Sequence, residues 1–108
     1  MQDPARITEE QNTLARARLL NIQYEDTSAR EVALYPETLG VPEMYNLRVV
    51  PLFVDEHNIQ FGITNTTSQA TMAQLQARFL DQRIVFALIS DTGYKDIMKR
   101  YDPPKQIV

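Results

Sequence analysis

Arg48-Val49-Val50-Pro51-Leu52-Phe53-Val54, the polar step Asp55-Glu56-His57-Asn58, and Ile59-Gln60-Phe61-Gly62-Ile63-Thr64 decide the fold. The first run is rich in β-branched and aromatic residues, which suit a pleated, half-buried surface. The second alternates strictly, with Ile59, Phe61 and Ile63 on one face. Two such runs across a short polar turn predict a β-hairpin. Pro51 has no N–H for a ladder, so it marks either an edge strand or a bulge.

Downstream, Asn65-Thr66-Thr67-Ser68 is a polar connection suited to capping a helix. Met72, Leu75, Gln76 and Phe79 recur at helical spacing and predict a helix over about 69–80. Arg83 to Ile89 is the most apolar run in the chain, and its shortness predicts a strand buried on both faces. Ser90 or Asp91 then caps a last helix with Tyr94, Ile97, Met98 and Tyr101 on its apolar side. A helix between two strands implies a parallel, right-handed crossover.

Upstream the signals are weaker. Met1 to Ile7 is polar and contains Pro4, so it reads as a frayed end. Thr8 with Gln11 three residues on resembles a capping box, which places a helix over about 8–20. Ile22 to Tyr24 is a very short extended piece. Ser28 is expected to cap a short helix from Arg30 to Leu34. Tyr35 precedes Pro36 and is pushed out of the helical region, and Gly40 and Pro42 separate two further turns. The fold class is α/β (α+β): a small mixed sheet of three to four strands with packed helices. The expected core is Leu19, Leu52, Phe61, Ile63, Leu75, Phe79, Val85, Ala87, Ile89 and Ile97.

The 108 residues suggest one domain. It is read as residues 7–101, with Asp102-Pro103-Pro104-Lys105-Gln106 opening a linker over 102–108. The chain has no cysteine, which removes disulfides, thiolate catalysis and cysteine-based metal sites. One histidine excludes a two-histidine metal centre. A net charge of −3 argues against a nucleic-acid binder, which needs concentrated positive charge.

Histidine is the residue type suited to acid/base work at neutral pH, yet nothing near His57 in sequence supplies a partner for base chemistry, so it reads as an exposed turn residue. The adjacent carboxylates Glu9/Glu10, Glu25/Asp26 and Asp55/Glu56 do not share a face of an element. The three glycines, Gly40, Gly62 and Gly93, are isolated, and no lysine-bearing phosphate loop is present. Asn65 to Ser68 offers amides to an anion or simply caps a helix. Tyr35 and Tyr45 fall in the irregular middle segment, where a half-buried interface tolerates tyrosine.

The order of these pieces resembles the N-terminal domain of the ATPases of type II secretion and type IV pilus assembly. Leu20-Asn21-Ile22-Gln23-Tyr24-Glu25-Asp26 occupies the place of that family's "gip-y-dl" segment after its first helix. Tyr35-Pro36-Glu37-Thr38-Leu39, Val41-Pro42-Glu43-Met44-Tyr45 and Leu47-Arg48-Val49-Val50-Pro51-Leu52 follow in the family's order, the last matching "y-vvPL". Val85-Phe86-Ala87-Leu88-Ile89-Ser90 and Ile97 to Tyr101 resemble its closing strand and helix. The acidic residue and proline that usually follow the second hairpin strand are replaced by Thr64-Asn65-Thr66.

This resemblance implies a non-catalytic regulatory and protein-docking domain without a cofactor, placed ahead of a motor at the cytoplasmic face of the inner membrane. The implied partners are the cytoplasmic part of an inner-membrane secretion or pilus assembly protein and the chain's own ATPase domain. Some pilus-type relatives bind the cyclic dinucleotide c-di-GMP, the alternative function here. Their Arg-Leu-Gly stretch is absent, and Arg6 is not followed by Leu-Gly. A small stand-alone enzyme is the third reading, without a catalytic constellation to support it. Arg16, Arg18, Tyr35, Met44 and Tyr45 are the expected protein-binding residues, because aromatic, methionine and arginine side chains anchor interfaces.

Overall fold

The hairpin forms as its alternation requires. In this computed structural model, which describes residues 3–103, strand β2 (Val49–Val54) pairs antiparallel with β3 (Asn58–Ile63). The register shifts between Pro51 and Phe53, and β2 lies at the edge of the sheet, so Pro51 meets both conditions that its missing N–H imposes. Asp55 closes the turn by accepting the N–H groups of His57 and Asn58 at 2.8 and 2.7 Å, which hold its carboxyl below the usual range.

Among the described residues the sheet has four strands, in the order β1-β4-β3-β2. Strand β4 (Arg83–Leu88) pairs parallel with β3 over its whole length, and β1 (Gln23–Tyr24) pairs parallel with Ala87 and Leu88 alone. The expectation that 83–89 is buried on both faces therefore holds only at its carboxyl end. Ala87, Leu88 and Ile89 are buried, whereas Ile84, Val85 and Phe86 are partly covered, because two-residue β1 leaves Arg83 to Phe86 without a strand on the side away from β3.

Among the described residues four helices pack around the sheet. Helix α3 (Gln69–Arg78) starts at Ser68, whose side chain accepts the Thr71 N–H, and α4 (Asp91–Tyr101) starts at Ser90, which accepts from Gly93. Helix α2 (Val41–Leu47) begins at Gly40, whose N–H donates to the Glu43 carboxylate, and ends at Arg48 in the left-handed region, φ 56°.

Two upstream expectations are corrected. Helix α1 runs Pro4–Leu20, with Asp3 accepting the Ala5 N–H, so the first turn is not frayed and Thr8 is not its cap. Proline at the first helical position after an aspartate cap is pre-organised for helix. Residues Arg30 to Leu34 form no helix. Asp26 takes the Ser28 N–H in a side-chain turn, and the Val32 carbonyl accepts from Arg100, so that carbonyl serves α4 and not a local turn.

The core gathers Phe61, Leu52, Ile59, Ile63, Leu75, Ala87, Ile89 and Ile97 with Val49, Val50, Tyr94 and Met98. Phe61 meets the rings of Phe79 and Phe86 at 5.8 and 6.2 Å. Phe79 and Val85 are only partly buried, and Leu19 is 87% exposed, on the side of α1 away from buried Ala17. Most of the predicted linker lies outside the described residues.

Candidate functional site

The parallel strands β1, β4 and β3 end at one edge of the sheet, the usual side for clefts in open α/β sheets. Two hollows meet there, and Arg16 and Asn65 line both. One, of about 360 Å³, lies between α1 and the start of α4, with Thr8, Glu9, Asn12 and Asp91 in its walls. The other, of about 320 Å³, is a groove between α1 and α3. Ile22, Ile63 and Leu88 line it from the sheet, and Leu20 and Met72 from the two helices.

The first hollow is electrostatically satisfied from within. Glu9 accepts the Thr92 N–H at 3.2 Å, so a carboxylate of this chain already serves the start of α4. Arg48 donates to Asp91 at 2.6 Å and to the Thr66 hydroxyl at 3.1 Å, while its guanidinium sits 4.5 Å from the centre of the Tyr94 ring. The Lys95 ammonium, 2.9 Å from Asp91, and then Arg48 hold the Asp91 carboxyl below its ordinary range.

A second polar network lies under α1. Arg6 pairs with Glu10 at 2.6 Å and Asp96 at 3.1 Å, and the Tyr24 hydroxyl donates to Glu10. Burial first, then the Glu10 hydrogen bond, pushes the Tyr24 phenol well above its usual range. This gives Arg6 a structural role, tying α1 to α4 and, through Glu10, to β1.

The predicted binding residues separate into two groups. Arg16 and Arg18 are exposed on α1, and neither has an ion-pair partner among the described residues. Tyr35 and Tyr45 each bond to the carboxyl end of α4. The Tyr35 N–H donates to the Tyr101 hydroxyl at 2.6 Å, and Tyr45, 43% exposed, donates to Asp102 at 2.9 Å. That bond to Asp102 raises the Tyr45 phenol above its ordinary value. Met44 is 0% exposed, so its side chain belongs to the core and not to a surface. One helical turn carries both neighbours, and the side facing the sheet takes the methionine.

His57 sits on the hairpin turn with its side chain 84% exposed. Among the described residues no group of three His, Asp or Glu side chains converges to hold a metal. Neither Leu20 nor Arg48 is among the expected binding residues, and Asn65 is expected only as part of an anion-holding or helix-capping run. Leu20 was legible as an apolar residue four after Arg16, one helical turn on the same face. Arg48 carried no signal, because its role depends on a left-handed cap that turns it toward α4.

The site thus belongs to a mixed α/β domain with a hairpin-edged parallel core and a cleft at the carboxyl ends of its strands. No family model matches the sequence, and no curated protein matches it. Among solved structures the chain is similar to one described as "Structure of MshE with cdg", with a TM-score of 0.71 over 84% of this chain at 16% identity. The match covers 66% of that chain, just under two thirds of its length. The two share a fold, and the resemblance expected from the sequence is met at that level.

Proposed function

We propose that the chain is a non-catalytic docking and regulatory domain of a type II secretion or type IV pilus assembly ATPase. In this reading it sits at the cytoplasmic face of the inner membrane by binding the cytoplasmic part of a membrane partner. The observation that carries it is the fold shared with MshE over 84% of the chain. The ordered motifs from Leu20 to Leu52 add to it. The sequence has no lysine-bearing phosphate loop, so ATP hydrolysis belongs to another part of such a protein. The test is co-purification of this chain with the cytoplasmic domain of the inner-membrane assembly partner. Saturable binding supports the reading, and none at high micromolar concentration overturns it.

A second reading, a c-di-GMP sensor, is favoured by the ligand named with MshE, cdg. Against it, the hollow between α1 and α4 sets Arg16 beside the Glu9 and Asp91 side chains, a poor lining for a dianion. Calorimetry with c-di-GMP separates the two: micromolar binding, lost in Arg16→Ala, promotes the sensor over docking.

A further inference from the structure

We propose that the groove between α1 and α3 binds an acidic amphipathic segment of a protein partner, with apolar side chains against Leu20, Ile22 and Met72 and a carboxylate on Arg16. This deepens the docking reading above and rests on it.

The groove is apolar where it is deep and cationic at its lip. Leu20 is 57% exposed at one wall, facing Met72 on the other, and Gln69, Asn65 and Thr67 supply neutral polar edges. Its volume, about 320 Å³, lies at the low end for small-molecule pockets and suits a few side chains of a docked peptide.

Charge decides the occupant. The protein is acidic, yet residues 11–22 and 63–80, which include the C-terminal half of α1 and all of α3, contain no aspartate or glutamate. Arg6, Arg30, Arg48, Arg78 and Arg100 each hold a carboxylate of this chain. Arg16 is the charged residue that lines the groove, and it has no ion-pair partner among the described residues. Across it, Glu9 and Asp91 are engaged by the Thr92 N–H and by Arg48 and Lys95. A guanidinium at the lip of an apolar trough selects a carboxylate flanking apolar anchors, the helix-in-groove mode of recognition.

The test uses the 108-residue chain with a labelled synthetic helix bearing leucines on one face and glutamates at its flank. A twin carries lysine for each glutamate. The glutamate peptide should saturate and move the backbone amide resonances of 16–22 and 63–72. The twin should bind at least about tenfold more weakly, with the difference shrinking at high salt. Arg16→Glu should invert the preference, and Leu20→Ser should weaken both peptides without lowering the thermal midpoint. Arg83→Glu, at the opposite end of β4 from the groove, should change neither. Equal binding of the twins, resonance shifts confined to the Tyr35–Tyr45 side, or displacement of the peptide by c-di-GMP would overturn the groove assignment. The docking reading falls separately, when the unaltered chain fails to bind the membrane partner's cytoplasmic domain.

Discussion

Helices α1 and α4 pack on the same domain by opposite means. Helix α4 is 11 residues long and buries Gly93, Tyr94, Ile97 and Met98, so apolar surface holds it. Helix α1 is 17 residues long, yet it buries only Glu10, Thr13 and Ala17. Its hold is polar, through Arg6, Glu10, Asp96 and Tyr24, and its leucines at 19 and 20 face outward. A long helix anchored by a polar network and two small buried positions keeps most of its surface for other contacts. That asymmetry makes α1 the presenting element and α4 the foundation.

The sharpest test of this contrast is Tyr94→Ala. The ring is buried and its hydroxyl donates to the Met44 carbonyl at 2.8 Å. Its loss should cost about 3–5 kcal/mol by denaturant titration; a cost below 1 kcal/mol, under the range for any buried aromatic, would remove α4 from its supporting role. Arg6→Ala comes next. It leaves Glu10 held by Tyr24 alone and should cost about 2 kcal/mol, with strong non-additivity against Glu10→Ala in a double-mutant cycle.

Alkaline pH probes the same network. The Tyr24 phenol is raised from its ordinary value of 10.0, so the folded state keeps a proton that the unfolded chain releases. Stability is full below about pH 10 and falls as pH rises beyond it. Tyr24→Phe should flatten that decline relative to the parent chain. If the slope above that pH is unchanged, the phenol is not the group responsible. The smallest effect is expected at Leu19→Ser. This 87% exposed position should change stability by no more than about 0.5 kcal/mol. A larger loss would mean that the outer face of α1 is structural after all.

Much of this was legible in the residues. The alternation of Ile59, Phe61 and Ile63, the proline at position 51, and serines 68 and 90 ahead of helical spacing specify a hairpin, an edge and two capped helices. Local chemistry acts there: pleat period, a missing donor, a side-chain oxygen over free amides. Asp3-Pro4 was equally legible as a helix start, and the polar composition of the first turn hid it. The core list failed at Leu19 because α1 has too few apolar residues for periodicity to show which side is buried. It omitted Met44 because a seven-residue helix gives no period to read.

By itself the sequence determined the type and order of the sheet and helix elements from Val49 onward, since each rests on interactions within a few residues. The tertiary structure alone decided that Arg83 to Phe86 of β4 lack a strand on the side away from β3, that Arg100 takes the carbonyl of Val32, and that Arg48 reaches Asp91 and Tyr94. It also decided that Arg16 and Leu20 share a groove with Met72, residues more than fifty positions apart in the chain. These depend on which distant backbone lies alongside, and no local pattern of apolar and charged residues encodes that distance.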